Sequence, residues 1–312
     1  MSVALIIVFI FGINIAGGIP AVVENAQSLP GYLTMMTTYD PVAGVEQPYP
    51  IINIISMIAW GLGYFGMPHI LLRFMAIEDE EKLTLSRRVA TIWVVISLAV
   101  AVLIGVIGLA MSDVGALKTL TGSDSETIIV QIADLLSKHG ILPALLAGTI
   151  LAGILASTMS TADSQLLAAS SAVSSDLFGD RVAKTGDKKK AMNAARFTLL
   201  AIAVIAAFIA RDPNSSVFGI VSFAWAGFGA VFGPVVLFAL FWRRSNWQGA
   251  LAGMISGGAM VFIWKYLVRP LGGVWNIYEL LPAFSVSCLM IVIVSLLTKA
   301  PSKEITEEFD RV

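Results

Sequence analysis

Eight apolar runs recur along this chain, and most are long enough to cross a bilayer core of roughly 30 Å. They cover about Val3–Glu24, Ile51–Leu72, Val89–Met111, Ile141–Phe178, Phe197–Ala210, Val217–Trp242, Gly249–Val268 and Glu279–Thr298. The fifth is short unless it begins upstream, in AMNAA. Inside hydrocarbon every backbone polar group needs a partner within the protein, so such runs read as helices. Only 13% of the residues are charged and 57% are hydrophobic, whereas soluble domains carry about 25% charged residues. The expected fold is therefore an all-α integral membrane protein with about eight transmembrane helices. Residues 1–312 form one transmembrane domain in this reading. Residues 112–140 form a loop whose segment SETIIVQIADLLSK has helical periodicity but is too short and too charged to span. Residues 299–312 are a charged tail.

The basic residues set the expected orientation. The loops after the second, fourth and sixth runs, with the tail, hold 15 Lys and Arg, among them Arg73, Arg87, Arg88, Arg181, Lys184, Arg243 and Arg244. The opposite side holds five: Lys118, Lys138, Arg211, Lys265 and Arg269. Both termini are expected in the cytoplasm and the 112–140 loop outside. The charge runs EDEEK and GDKKK read as solvated turns. A net charge of −1 points away from nucleic acid and leaves the lipid bilayer as the surrounding partner. Two histidines and one cysteine, Cys288, argue against a transition-metal site.

The fourth run carries the least ordinary chemistry. Ser157, Ser160, Thr161 and Ser164 lie at offsets 0, 3, 4 and 7, so they line one helical face, with Asp163 beside it. A carboxylate at this depth costs about 2.5–3.5 kcal/mol on insertion scales. Oxygen ligands suit a hard, dehydrated cation. Hydroxyls also cross-link neighbouring helices, and only Asp163 tips the reading toward an ion site.

The second run reads SMIAWGLGYFGMPHILLRF. Gly61, Gly63, Gly66 and Pro68 make a continuous helix costly to hold. A broken helix lining a membrane cavity is one reading, with Trp60 and Tyr64 on one side as walls for a small zwitterion. A close-packed helix interface is the other. The glycines of SFAWAGFGAVFGPVVL, around Pro234, favour close packing over a hinge. His69 reads as a capping or interface residue, and Trp264, Lys265 and Tyr266 as interfacial anchors.

Four stretches carry a resemblance. WGLGYFGMPHILLRFMA, ILASTMSTADSQLLAASSAVSSDLF, SFAWAGFGAVFGPVVLF and GALAGMISG, followed by LLTKAPS, resemble in order the proline-carrying members of the sodium:solute symporter family. The resemblance implies a core of two inverted five-helix repeats with two extra C-terminal helices, working by alternating access. It implies sodium-coupled uptake of L-proline across the plasma membrane, with sodium as coupling ion, no cofactor and no enzymatic step. By the same resemblance Trp60, Tyr64 and Pro68 serve proline. Ser160 and Thr161 serve sodium with the carbonyl of Ser157, and a second sodium site falls near Asp163 and Ser164. Other members carry a hydroxyl residue where Asp163 stands. Family members have about thirteen spans, and the first run here resembles their sixth. The chain is thus expected to be a C-terminal portion, inactive alone, with a separate N-terminal fragment as the partner it would need. A symporter for another small solute and a transporter-like sensor domain remain as alternatives.

Overall fold

The computed structural model describes residues 2–172, 188–211 and 216–310. The end of the fourth run (residues 173–178), Arg181, Lys184, Arg311 and the first two residues of GDKKK lie outside them. In chain order the elements are α1 (Ser2–Ile15), α2 (Ile19–Ser28), β1 (Thr37–Asp40), β2 (Val45–Pro48), α3 (Ile51–Ala59), a 3-10 segment (Trp60–Gly66) and α4 (Pro68–Met75). There follow α5 (Lys82–Asp113), a 3-10 turn (Gly122–Thr127), α6 (Ile128–Ser137), α7 (Ile141–Ser171) and α8 (Lys188–Ile209). The chain continues with α9 (Val217–Phe241), α10 (Trp247–Ile263), a π turn (Trp264–Val268), α11 (Leu280–Leu297) and α12 (Lys303–Phe309). Among the described residues, six helices are long and apolar enough to cross a membrane, and up to eight if each of two bent pairs counts as one span.

The first expected span is one of those pairs. α1 and α2 meet at 77°, because Gly17 and Gly18 take φ of 94° and 96°, a region closed to most side chains. The loop before α3 contains a β-hairpin that the apolar pattern did not disclose. Asp40 closes its turn: Oδ1 accepts from the N–H groups of Val42 and Ala43, and Oδ2 from Gln47 Nε2. EDEEK is an exposed turn leading into α5.

The helices group into two compact bodies. The first holds α1, α2, α5, α6, α7 and α8. Its core joins Leu5 and Val8 of α1, Ile104, Ile107 and Met111 of α5, Ile132 and Leu136 of α6, and Ala147 and Ile150 of α7. The amphipathic piece of the 112–140 loop is thus α6, with Ile132 and Ala133 fully buried.

The second body holds α3, the 3-10 segment, α4 and α9–α12. Gly249, Gly253 and Gly257 form a buried stripe on α10, one residue per turn. It faces Ser287, Ile291 and Ser295, spaced the same way on α11. A Cβ at Gly253 would overlap Ile291, and one at Gly257 would overlap the carbonyl of Ala230. Small residues let the backbones approach, and the contact is van der Waals in kind. The packing expected around SFAWAGFG is present as well: a Cβ at Gly229 would sit 2.6 Å from Gly63 Cα. We predict that Gly253→Val destabilises the protein by about 1–3 kcal/mol through overpacking. Gly227→Ala, with open space around it, should be neutral or stabilising by up to about 1 kcal/mol. Thermal unfolding in detergent micelles distinguishes the two.

Candidate functional site

The second run is broken. Beyond Ala59 the helix tightens into the 3-10 segment Trp60–Gly66. Met67 then extends, at φ −82° and ψ 113°, as a residue before proline tends to do. Pro68 restarts the helix at its first position, where a missing N–H costs nothing. The N–H groups of Ile70 and Leu71 both donate to the carbonyl of Met67 at 3.0 Å. The two limbs differ in direction by 51°. Gly63 and Gly66 are buried because α9 lies against them: a Cβ at Gly63 would overlap the Trp225 indole, and one at Gly66 the carbonyl of Phe228.

An aromatic cluster stands at the upstream end of the break. The Trp60 ring stacks with Phe218, Trp225 and Tyr278 at centroid distances of 5.2, 5.7 and 5.8 Å. Trp225 Nε1 donates to the carbonyl of Trp60 at 3.0 Å. Tyr64 meets the same indole edge-on at 4.8 Å and is 51% exposed. The expected pair, Trp60 and Tyr64, is therefore joined through Trp225. Pro68 is half-buried at the start of α4.

Tyr278 is fixed at three points. Its N–H donates to Ser56 Oγ at 3.0 Å, its hydroxyl donates to the carbonyl of Ser222 at 2.6 Å, and its ring stacks on Trp60. Burial pushes the hydroxyl above the ordinary tyrosine range; the carboxylate of Glu279 adds to this and Arg269 opposes it. The phenol is thus neutral and a donor at physiological pH. Glu279 is 1% exposed. Its Oε2 accepts from Arg269 Nη1 at 2.9 Å, and its Oε1 lies 3.8 Å from Lys265 Nζ. Lys265 in turn sits 3.8 Å above the Phe223 ring, a cation–π contact. A cavity of about 210 Å³ opens beside this group, lined by Asn53, Met57, Trp60, Phe218 and Arg269 among others.

The hydroxyl row lies in the first body, on the unbroken α7. Ser157, Ser160, Thr161, Asp163 and Ser164 are all exposed. Thr161 donates to the carbonyl of Ser157 at 3.3 Å, and Ser164 to that of Ser160 at 3.1 Å. These protons stay within the helix, so the oxygen lone pairs point outward. No hydrogen bond from this row reaches another helix among the described residues. Asp163 makes no ion pair among them either.

Sequence reasoning missed Trp225, Phe218, Tyr278 and Arg269. Trp225 stands within SFAWAGFG, whose glycines are the stronger local signal. For Tyr278 and Arg269 the signal was Glu279: an acid at the edge of an apolar run, close in sequence to two cations.

The model of the family described as sodium:solute symporter matches residues 1–257. Over 261 residues the chain is 41% identical to a high-affinity proline transporter of Bacillus subtilis, covering 83% of this chain and 52% of that one. It is 42% identical to the sodium/proline symporter of Salmonella typhimurium over 259 residues, or 83% of this chain and 50% of that one. Against the sodium/proline symporter of Escherichia coli the identity is 41%, with the same two coverages. The chain spans about half the length of these curated relatives.

Replacing Trp225 by Phe keeps an aromatic ring at the break but removes the donor to the Trp60 carbonyl. We expect a loss of about 0.5–1.5 kcal/mol, the net worth of one hydrogen bond. Urea unfolding followed by near-ultraviolet circular dichroism measures it, with the stacked-tryptophan signal weakened in the folded state.

Proposed function

Because this chain belongs to the sodium:solute symporter family, we propose that it carries the solute-binding broken helix and the ion-binding helix of a sodium-coupled L-proline uptake system. The members it matches are transporters rather than enzymes. The chain is a multi-pass membrane protein, and the plasma membrane is where such uptake takes place. In this reading both termini are cytoplasmic, and two inverted five-helix repeats work by alternating access, with α10 and α11 outside that core.

The observation that carries the solute assignment is the aromatic cluster at the break. Trp60 and Tyr64 offer apolar walls to a pyrrolidine ring, and the break at Met67, where the 3-10 segment Trp60–Gly66 ends and Pro68 begins the next helix, leaves backbone polar groups for the ammonium and carboxylate. Pro68 fixes the exit angle of the lower limb. Sodium is assigned to Ser160 and Thr161 with the Ser157 carbonyl, and a second ion to the neighbourhood of Asp163 and Ser164. Outward lone pairs on α7 support that assignment, because a hard cation takes oxygen donors. An exposed row supplies only one side of a cage, so a second surface is needed to complete it. The reading takes that surface from a separate N-terminal fragment. Sodium and proline affinities then rise together, since coupling between two sites is reciprocal.

The test is sodium-driven uptake of labelled proline into vesicles. This chain alone should be inactive. Assembled with the N-terminal half of a related symporter, it should transport. In that assembly Thr161→Ala should raise the half-saturating sodium concentration roughly tenfold, the worth of one oxygen contact. Trp60→Ala should raise the proline constant more than the sodium constant. Sodium dependence unchanged by Thr161→Ala would remove the sodium assignment. Proline uptake competed equally by unrelated amino acids would remove the solute assignment.

A further inference from the structure

α5 is longer than a membrane is thick. Its 32 residues extend about 48 Å, against a bilayer core of roughly 30 Å. The apolar run begins at Val89, so residues 82–88 stand above the hydrocarbon. The buried residues of the helix all lie toward its other end, from Ile104 to Met111. At the first end a groove of about 590 Å³ opens where the EDEEK turn meets the helix, lined by Glu78, Lys82, Leu85, Ser86, Val89 and Trp93 among others.

The lining is sorted by depth. Glu78, Lys82 and Ser86 recur every four residues and form one stripe, and Leu85, Val89 and Trp93 form a second one further along the helix. From Lys82 to Trp93 the rise is about 16 Å, half the thickness of a hydrocarbon core. Going inward, the groove offers carboxylate, then ammonium and hydroxyl, then aliphatic surface, then an indole at the level such rings favour. A phospholipid with an ethanolamine head, standing parallel to the helix, presents the complement in the same order: ammonium, phosphate, acyl chain. A volume equal to that of about twenty liquid waters holds a headgroup and the upper part of one chain.

The charges select the head. Glu78, Asp79, Glu80 and Glu81 crowd the mouth, and all four are exposed. Lys82 pairs with Glu78, with side chains 56% and 84% exposed, and a pair so open to water is weak and gives way readily. Arg87 and Arg88 do not line the groove. A purely anionic head would bring its charge against four carboxylates with one lysine to offset them. A head with an ammonium beyond its phosphate meets each sign at the matching depth. An ethanolamine ammonium also donates hydrogen bonds, as the lysine ammonium does, which a trimethylated choline cannot. We propose that this groove holds one phosphatidylethanolamine, with its phosphate at Lys82 and Ser86, its ammonium at Glu78, and its upper acyl chain along Leu85, Val89 and Trp93. The site depends on neither the solute nor the ion assignment above.

The delipidated chain in detergent is offered equimolar phosphatidylethanolamine, phosphatidylcholine and phosphatidylglycerol with identical acyl chains, and the lipids it retains are counted by native mass spectrometry. One phosphatidylethanolamine should be kept at least about fivefold over either competitor, the worth of one exposed charge-assisted hydrogen bond. Glu78→Gln should erase the preference over phosphatidylcholine without abolishing binding, whereas Lys82→Gln should weaken both lipids alike. Both positions are exposed, and an unchanged elution volume and circular dichroism spectrum report an intact fold. In a second measurement, phosphatidylethanolamine with brominated acyl chains quenches tryptophan fluorescence, and Trp93→Phe should remove most of the saturable quenching. Equal retention of the three lipids, a preference for phosphatidylglycerol, or a preference untouched by Glu78→Gln would overturn the proposal. Saturable quenching that survives Trp93→Phe would do the same, by placing the lipid elsewhere. Full competition by water-soluble glycerophosphoethanolamine at equal concentration would make the groove a receptor for a free phosphodiester, and the lipid assignment would fall.

Discussion

The hydrogen bond from the Trp225 indole to the Trp60 carbonyl is the contact on which the second body turns. A helix that stops in an apolar setting leaves carbonyls without partners, and each is costly to bury unpaired. Here a side chain from α9 adds a donor to the carbonyl at the head of the 3-10 segment, and the same indole then serves as the surface on which Trp60 and Tyr64 pack. Gly63 and Gly229 make this possible by bringing the two backbones together. The break is therefore held by α9, and its geometry follows from two glycines, a proline and one indole nitrogen.

The positions of the spans were legible because hydrocarbon imposes length and polarity on every segment that crosses it. α7, α9 and α11 match their apolar runs closely where they are described. The break at Pro68 was legible for a local reason, since glycine and proline act on the backbone whatever surrounds them. The hairpin at Asp40 was not, because its signal is a few turn residues in a polar stretch. Asp40, Pro41 and Gly44 are the turn residues that carry that signal. The bend between α1 and α2 depends on Gly17 and Gly18 taking positive φ together, which composition alone does not require.

The candidate site was legible only in part. Trp60, Tyr64 and Pro68 stood out by their neighbours in sequence. Their partners come from α9 and from the connection between α10 and α11, about 150–220 residues away, a separation that periodicity cannot bridge. The hydroxyls of α7 were found by their spacing, yet spacing says nothing of what faces them. The structure adds that the hydroxyl protons of Thr161 and Ser164 are satisfied by the helix they stand on.

Tyr278 has a mechanical consequence. It ties α3 through Ser56, α9 through Ser222 and the break through the Trp60 ring, and Glu279 next to it is clasped by two cations. A rocking movement of α3 against α9 would have to shear both hydrogen bonds and slide the stacked rings. These pieces must therefore travel as one block with the connector. Flexing is left to the lower limb, beyond Gly66, where the chain turns at Met67 and Pro68.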